Sequence, residues 1–235
     1  MTATLGAVLP KRGSHLGFSS WMRDLQALAS CTLNPPPYPN AVLPRGDGRV
    51  VLTIPGFLAG DWTMLRLRTF LANLGYRIET SGIAFNGGPT PQTIAQLDGV
   101  LLRAAEEAGG AVDLLGQSLG GVLARDLAHR HPAAVRRVVT LCSPIRFPIS
   151  TPLAPVAQLF APFHDPVWAA RAATIAQPPP VPVTAIYSED DGVVDWRQCL
   201  QDEAPGYANV RVGGAHSTMG SNPAAQTAVA FALGR

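Results

Sequence analysis

The sequence predicts an α/β architecture, a mostly parallel central sheet of about six strands flanked by helices. Three observations predict it. From Arg49 onward, short apolar runs alternate with stretches of helical periodicity, the pattern of strands joined by right-handed helical crossovers. A glycine-rich pentapeptide, Gly116-Gln-Ser-Leu-Gly120, falls at one strand-to-helix junction. A long apolar segment bearing many prolines, residues 144–180, interrupts the rhythm once.

Before Arg49 the chain offers a short helix over Phe18–Leu28 and an extended connector, Asn34-Pro-Pro-Pro-Tyr-Pro39, which ends in a Gly46-Asp47-Gly48 turn. Residues 1–48 carry no nameable chemistry and read as an N-terminal extension packing on a domain of residues 49–235. Val50–Ile54 is apolar enough for a strand buried on both faces. Asp61 is placed to cap a helix that carries Leu65, Leu67, Phe70, Leu71 and Leu74 and stops at Gly75. Arg77–Thr80 reads as a short strand. The turn-rich loop Asn86–Pro91 leads into a helix with Ile94, Leu97, Val100, Leu101 and Ala104 on one face.

Ala111–Leu115 is the next strand, and Leu119–His129 a helix halted before Pro132. Val135–Leu141, Val181–Tyr187 and Asn209–Val212 supply the remaining strands, and Pro223–Leu233 a closing helix. Residues 144–180 hold Phe147, Leu153, Val156, Leu159, Phe160, Phe163 and Trp168. The segment is too long for an ordinary connection and too apolar for a linker. It reads as a short lid or pocket insertion, with Phe147, Phe160, Phe163 and Trp168 as candidate substrate-binding side chains.

Composition narrows the function. The chain has 235 residues, 47% hydrophobic and 14% charged, which fits one compact domain. A net charge of +2 is too small to mark a nucleic-acid surface. Of the 18 basic residues only Lys11 is a lysine, so the domain offers none for a phosphate loop or a Schiff base. Cys31, Cys142 and Cys199 form no C-x-x-C pair and read as reduced thiols, with a single bridge from Cys31 to Cys199 as the alternative. The weakly apolar stretch Thr2–Leu9 precedes Lys11 and Arg12, the reverse of a secretory signal, so a cytoplasmic location is the default. No run of about 18 apolar residues suits a membrane span.

The pentapeptide carries the chemistry. Gly116-Gln-Ser-Leu-Gly120 follows one strand and opens one helix, the setting in which G-x-S-x-G presents a nucleophile. A serine on so sharp a turn sits in strained backbone, and Gly116, Gly120 and Gly121 keep its surroundings free of side chains. Ser118 then needs a base. His129 and His131 lie near the far end of its helix, roughly 15 Å away at about 1.5 Å per residue. His15 precedes the sheet and His164 falls in the insertion. His216 follows the last strand, in the loop Gly213–Gly220, at the end of the sheet where reactive loops gather.

The base needs an orienting acid. Asp191, at a tight turn before Gly192, is preferred to its rival Asp195, which reads as the cap of the segment starting at Trp196. Two amides must hold a developing oxyanion, and those of Leu119 and of Phe57, freed by the turn at Gly56, are the candidates. No metal or organic cofactor is required.

In these residues the chain from Arg49 onward resembles the α/β-hydrolase superfamily, in particular small bacterial lipases and esterases. The resemblance rests on Thr53-Ile-Pro-Gly-Phe57, Leu115-Gly-Gln-Ser-Leu-Gly-Gly121, Tyr187-Ser-Glu-Asp-Asp-Gly192 and Gly213-Gly-Ala-His216. It implies an α/β-hydrolase fold with Ser118 as nucleophile, Asp191 as acid, His216 as base, and the Phe57 and Leu119 amides as oxyanion donors. It also implies small-molecule ester or lipid substrates. An acyltransferase of the same fold, or a non-catalytic ligand-binding relative, are the competing expectations. Two positions depart from the family pattern: Pro55-Gly56 stands where many relatives have His-Gly, and Gln117 where many lipases have His. The required glycine is retained.

Overall fold

The computed structural model describes residues 16–202 and 204–234. Strands β1 (Val50–Ile54), β2 (Arg77–Thr80), β3 (Val112–Gln117), β4 (Val135–Leu141), β5 (Val183–Ser188) and β6 (Tyr207–Val212) form one sheet in the order β2-β1-β3-β4-β5-β6. Every neighbouring pair is parallel, as the alternation of strand and helix requires.

Helices cover both faces. Helices α3 (Pro91–Ala108) and α4 (Leu119–Arg130) press Leu97, Leu101, Leu123 and Leu127 onto Leu52, Ile54 and Leu114. On the opposite face α2 (Leu65–Asn73) and α7 (Pro223–Gly234) bury Leu67, Leu71, Val229 and Leu233 against Val51, Leu115 and Val139. Consecutive strand residues thus serve opposite cores, which is why the central strands read as continuous apolar runs. All five α3 residues assigned to one face are buried, and Thr90 caps that helix by accepting from Thr93 N at 3.1 Å.

Two local readings change. Helix α1 runs from Phe18 to Leu33, past the expected end at Leu28, because no proline intervenes before Pro35. Asp61 does not cap the α2 helix. It opens a separate 3₁₀ turn, Asp61–Met64, and its Oδ1 accepts from Ser81 Oγ at 2.9 Å, which ties that turn to the loop after β2. The three cysteines are free, with Cys142 and Cys199 buried, so the Cys31–Cys199 bridge does not form. Among the described residues no helix is long and apolar enough to cross a membrane.

The inserted segment folds into α5 (Ala154–Phe160), a 3₁₀ turn at Ala161–Phe163 and α6 (Trp168–Ala176). Both its ends are held by polar side chains. Gln198 donates to the carbonyls of Arg146 and Pro148 at 3.0 and 2.6 Å and accepts from Ser150 N at 2.7 Å. At the other end Arg125 of α4, 1% exposed, donates to the carbonyls of Ile175 and Gln177 at 2.9 and 2.6 Å. It also donates to Gln201 Oε1 at 3.1 Å. Burial among these neutral acceptors lowers its guanidinium to about 10. Replacing Arg125 by Met keeps the volume but strands three acceptors. Urea unfolding of Arg125→Met should give a stability loss of about 2–5 kcal/mol.

Candidate active site

The strand order reverses direction of progress between β1 and β3, and there the carboxyl ends of both strands face one cleft. The register pairs Ile54 with Gly116, so the chain after Ile54 runs beside Gln117 and Ser118. Ser118 occupies the corner between β3 and α4 with φ 53° and ψ −125°, a left-handed conformation strained for a residue with a Cβ. Its amide donates to Leu141 O at 2.8 Å. The glycines are forced by space. A Cβ on Gly120 would stand 2.1 Å from Ile54 O, and one on Gly116 would stand 2.3 Å from the Gly120 carbonyl. One on Gly56 would come within 3.1 Å of Ser118 Cβ.

Asp191 and His216 meet across the ends of β5 and β6. His216 Nδ1 lies 2.7 Å from Asp191 Oδ2, and both residues are buried. Asp191 Oδ1 accepts from the amides of Val193 and Val194 at 2.8 and 2.7 Å, which fixes the carboxylate. Its rival Asp195 caps the turn Trp196–Cys199 by accepting from Arg197 N at 3.1 Å. Within the loop after β6, His216 opens the 3₁₀ turn His216–Ser221. Its carbonyl accepts from Gln117 Nε2 at 3.0 Å, and its amide donates to Asp24 Oδ2 at 2.7 Å. Gln117, the departure from the family pattern, therefore links the serine corner to the histidine turn.

Burial opposes charge on the imidazole, but the Asp191 carboxylate, its hydrogen bond and the Asp24 carboxylate outweigh it. The net effect holds His216 above the ordinary histidine value. Neither Ser118 Oγ nor the second ring nitrogen of His216 is hydrogen-bonded among the described residues. Such contacts are commonly loose before substrate arrives.

Phe57 and Leu119 both line the cleft beside Ser118, and their amides donate to no described residue. Buried Asn86 clamps the Phe57 loop, donating from Nδ2 to Pro55 O at 2.9 Å and accepting Leu58 N on its carbonyl at 2.8 Å. The cleft opens into a cavity of about 360 Å³ lined by Phe57, Ser118, Leu119, Phe147, Trp168 and Val194. Of the four candidate side chains of residues 144–180, Phe147 and Trp168 belong to this lining.

Phe160 and Phe163 do not. Ala154, Ala157 and Gln158 form the α5 face turned to the cavity, a spacing of three and four residues that leaves Phe160 on another face, and Ala161 of the following 3₁₀ turn continues that wall. Phe160 packs edge-on against Phe57 at 5.5 Å, and Phe163 is 66% exposed. On this side of the cavity alanines line the wall, while Phe160 buttresses it and Phe163 faces outward. His164 lines the cavity too. His129 and His131 bind Gln177 O and Asp98 away from it, and His15 lies outside the described residues.

Cys142, Asp191 and His216 are the described residues whose donor atoms could gather on a metal ion, lying within 4.8 Å of one another. Asp191 is already committed to His216 and two amides, so a cation there would compete with that pair.

No protein-family model matches the chain, and no curated protein does. Solved structures do. The chain is similar to a metagenome-derived lipolytic enzyme, at 16% identity over 83% of this chain and 97% of that one, with a TM-score of 0.61. It is similar to Aspergillus fumigatus lipase B at 15% identity over 84% and 56%, with a TM-score of 0.65. It is also similar to an epoxide hydrolase from Vigna radiata at 16% identity over 80% and 90%, with a TM-score of 0.52. The chain has the α/β-hydrolase fold, which lipases and an epoxide hydrolase share, so the reaction must be argued from the site.

Replacing Asp191 by Asn removes the largest contribution that favours the imidazolium. Imidazole NMR should then find the titration midpoint of His216 moved to lower pH; an unmoved midpoint would refute the Asp191–His216 pairing.

Proposed function

We propose that the chain is a serine hydrolase cleaving carboxylic esters through an acyl-enzyme intermediate. The observation that carries this reading is the strained Ser118 at the mouth of an apolar cavity, beside a buried Asp191–His216 pair joined at 2.7 Å. In this reading Ser118 Oγ attacks the ester carbonyl while His216 takes its proton. The Oγ–carbon bond forms, and the oxyanion is held by the Phe57 and Leu119 amides. His216 returns the proton to the departing alkoxide as its bond to the acyl carbon breaks, and Asp191 stabilises the transient imidazolium. Water then repeats the sequence, releasing the acid and restoring Ser118.

The cavity wall favours acyl groups with an apolar body over acetyl. Residues 144–180 act as the lid of the domain, with Phe147 and Trp168 in contact with the acyl chain. Without a covalent nucleophile, binding and oxyanion stabilisation leave only residual activity.

Hydrolysis of p-nitrophenyl esters of increasing chain length tests the proposal. Ser118→Ala should lower kcat by about 10⁴-fold or more with the fold intact. kcat/KM should rise from acetyl to longer chains, and Trp168→Ala should flatten that rise. Equal turnover by Ser118→Ala would refute the serine mechanism, and a marked preference for acetyl would refute the role of the cavity. Adding alcohol acceptors and analysing products separates hydrolysis from acyl transfer.

A further inference from the structure

We propose that Asp24, on helix α1 ahead of the sheet, is a positioning residue that locks the base to the acid turn. The proposal deepens the serine-hydrolase reading and rests on it.

The geometry is specific. Asp24 is 2% exposed and its carboxylate accepts from three main-chain amides. Oδ2 takes His216 N at 2.7 Å and Gly192 N at 3.3 Å, and Oδ1 takes Ser217 N at 2.9 Å. Two of these open the His216–Ser221 turn, and the third belongs to the residue after Asp191. One buried side chain therefore holds the base and the residue next to the acid at once. A buried carboxylate is tolerated only when its lone pairs are filled, and here main-chain donors fill them, with no cationic partner among the described residues.

The rest of α1 supports the same clamp. Ser20 Oγ shares its single proton between Gly17 O at 2.8 Å and Gly192 O at 3.2 Å, so α1 reaches both the amide and the carbonyl of Gly192. A Cβ on Gly192 would fall 2.4 Å from Ser20 O and 3.2 Å from Asp24 Cβ. The helix thus packs directly on the acid turn, with no side chain between. Gln117 holds the opposite end of the same peptide segment by binding the His216 carbonyl at 3.0 Å. With both its amide and its carbonyl fixed, His216 can place its ring only as its side-chain torsions allow.

Among the described residues, the titratable groups that face His216 are Asp191 from the turn after β5, Asp24 from α1 and the buried Cys142 thiol at the end of β4. Asp190, on the exposed side, binds Gly214 N instead. Of the two carboxylates only Asp191 touches the ring, so Asp24 acts through the main chain and through its charge.

Asp24→Asn preserves shape but removes the charge and one accepting atom. The test compares it with wild type in ester kinetics across pH and in NMR titration of the His216 imidazole, which needs no substrate. kcat should fall about ten- to a hundredfold with KM changed less than about twofold, the signature of a misplaced reacting group. The imidazole and the acid limb of the kcat profile should both move to lower pH, because a negative charge that favours imidazolium is gone. Gln26→Ala, on the exposed side of the same helix, should leave all of these unchanged. Wild-type kcat and an unmoved titration in Asp24→Asn would overturn the proposal. Loss of kcat with an unmoved titration, or loss of the folded state, would assign Asp24 a merely structural role and overturn it equally. If the serine-hydrolase reading itself fails, wild type cleaves no ester, while the NMR titration still reports whether Asp24 sets the state of His216.

Discussion

Three main-chain segments meet without side chains between them where β1, β3 and α4 converge, and the rest of the site is arranged around that contact. The Ile54 carbonyl lies where a Cβ of Gly120 would be, and the Gly120 carbonyl where a Cβ of Gly116 would be. Packing this close lets α4 start directly on the sheet and leaves Ser118 no standard conformation, hence its positive φ. The strain is held by β4, which takes the Ser118 amide on Leu141 O. The same convergence brings the Phe57 loop alongside the serine, since the β1–β3 register determines which residues lie opposite it. A larger residue in any of the glycine positions would push helix, strand and loop apart together.

Much of this is readable in the sequence because it is local. The strands announce themselves as apolar runs flanked by turns, α3 by the spacing of five side chains, and the serine corner by glycines whose positions have a steric reason. What could not be read depends on phase or distance. Phe160 and Phe163 suggested a pocket through aromatic content alone, but the phase of α5 turns alanines inward instead. Asp61 has the residue type of a helix cap, yet the partner it finds is Ser81, beyond helix α2 and strand β2. Asp24 carries no signal at all: a lone acid on a helix with apolar residues on several sides resembles any solvated position. Only the fold reveals that it is buried against the turns after β5 and β6.

The insertion over the cavity is built on a different plan from the sheet. Its ends are fixed by Gln198 and by Arg125, both of which bind main-chain carbonyls, while Arg171 of α6 approaches Asp126 of α4 at 3.5 Å. Between these anchors Leu159, Phe163 and Val167 are exposed, and no buried core residue belongs to α5. Stability is concentrated at the feet and scarce at the tip, the distribution expected of segments that open locally.

The hydrogen bond between Asp24 and the His216 amide joins residues 192 positions apart. Closing so long a loop carries a large entropic cost, recovered only once the intervening sheet has formed. The histidine turn therefore takes its final shape late, after β5 and β6 have docked beside β4 and α1 has found its place across their ends. A chain stalled before that stage would have a nearly complete sheet and a formed serine corner, but no ordered histidine turn. The pairing of Asp191 with His216 is thus a property of the finished molecule, because the residues that hold the turn meet only across the completed sheet.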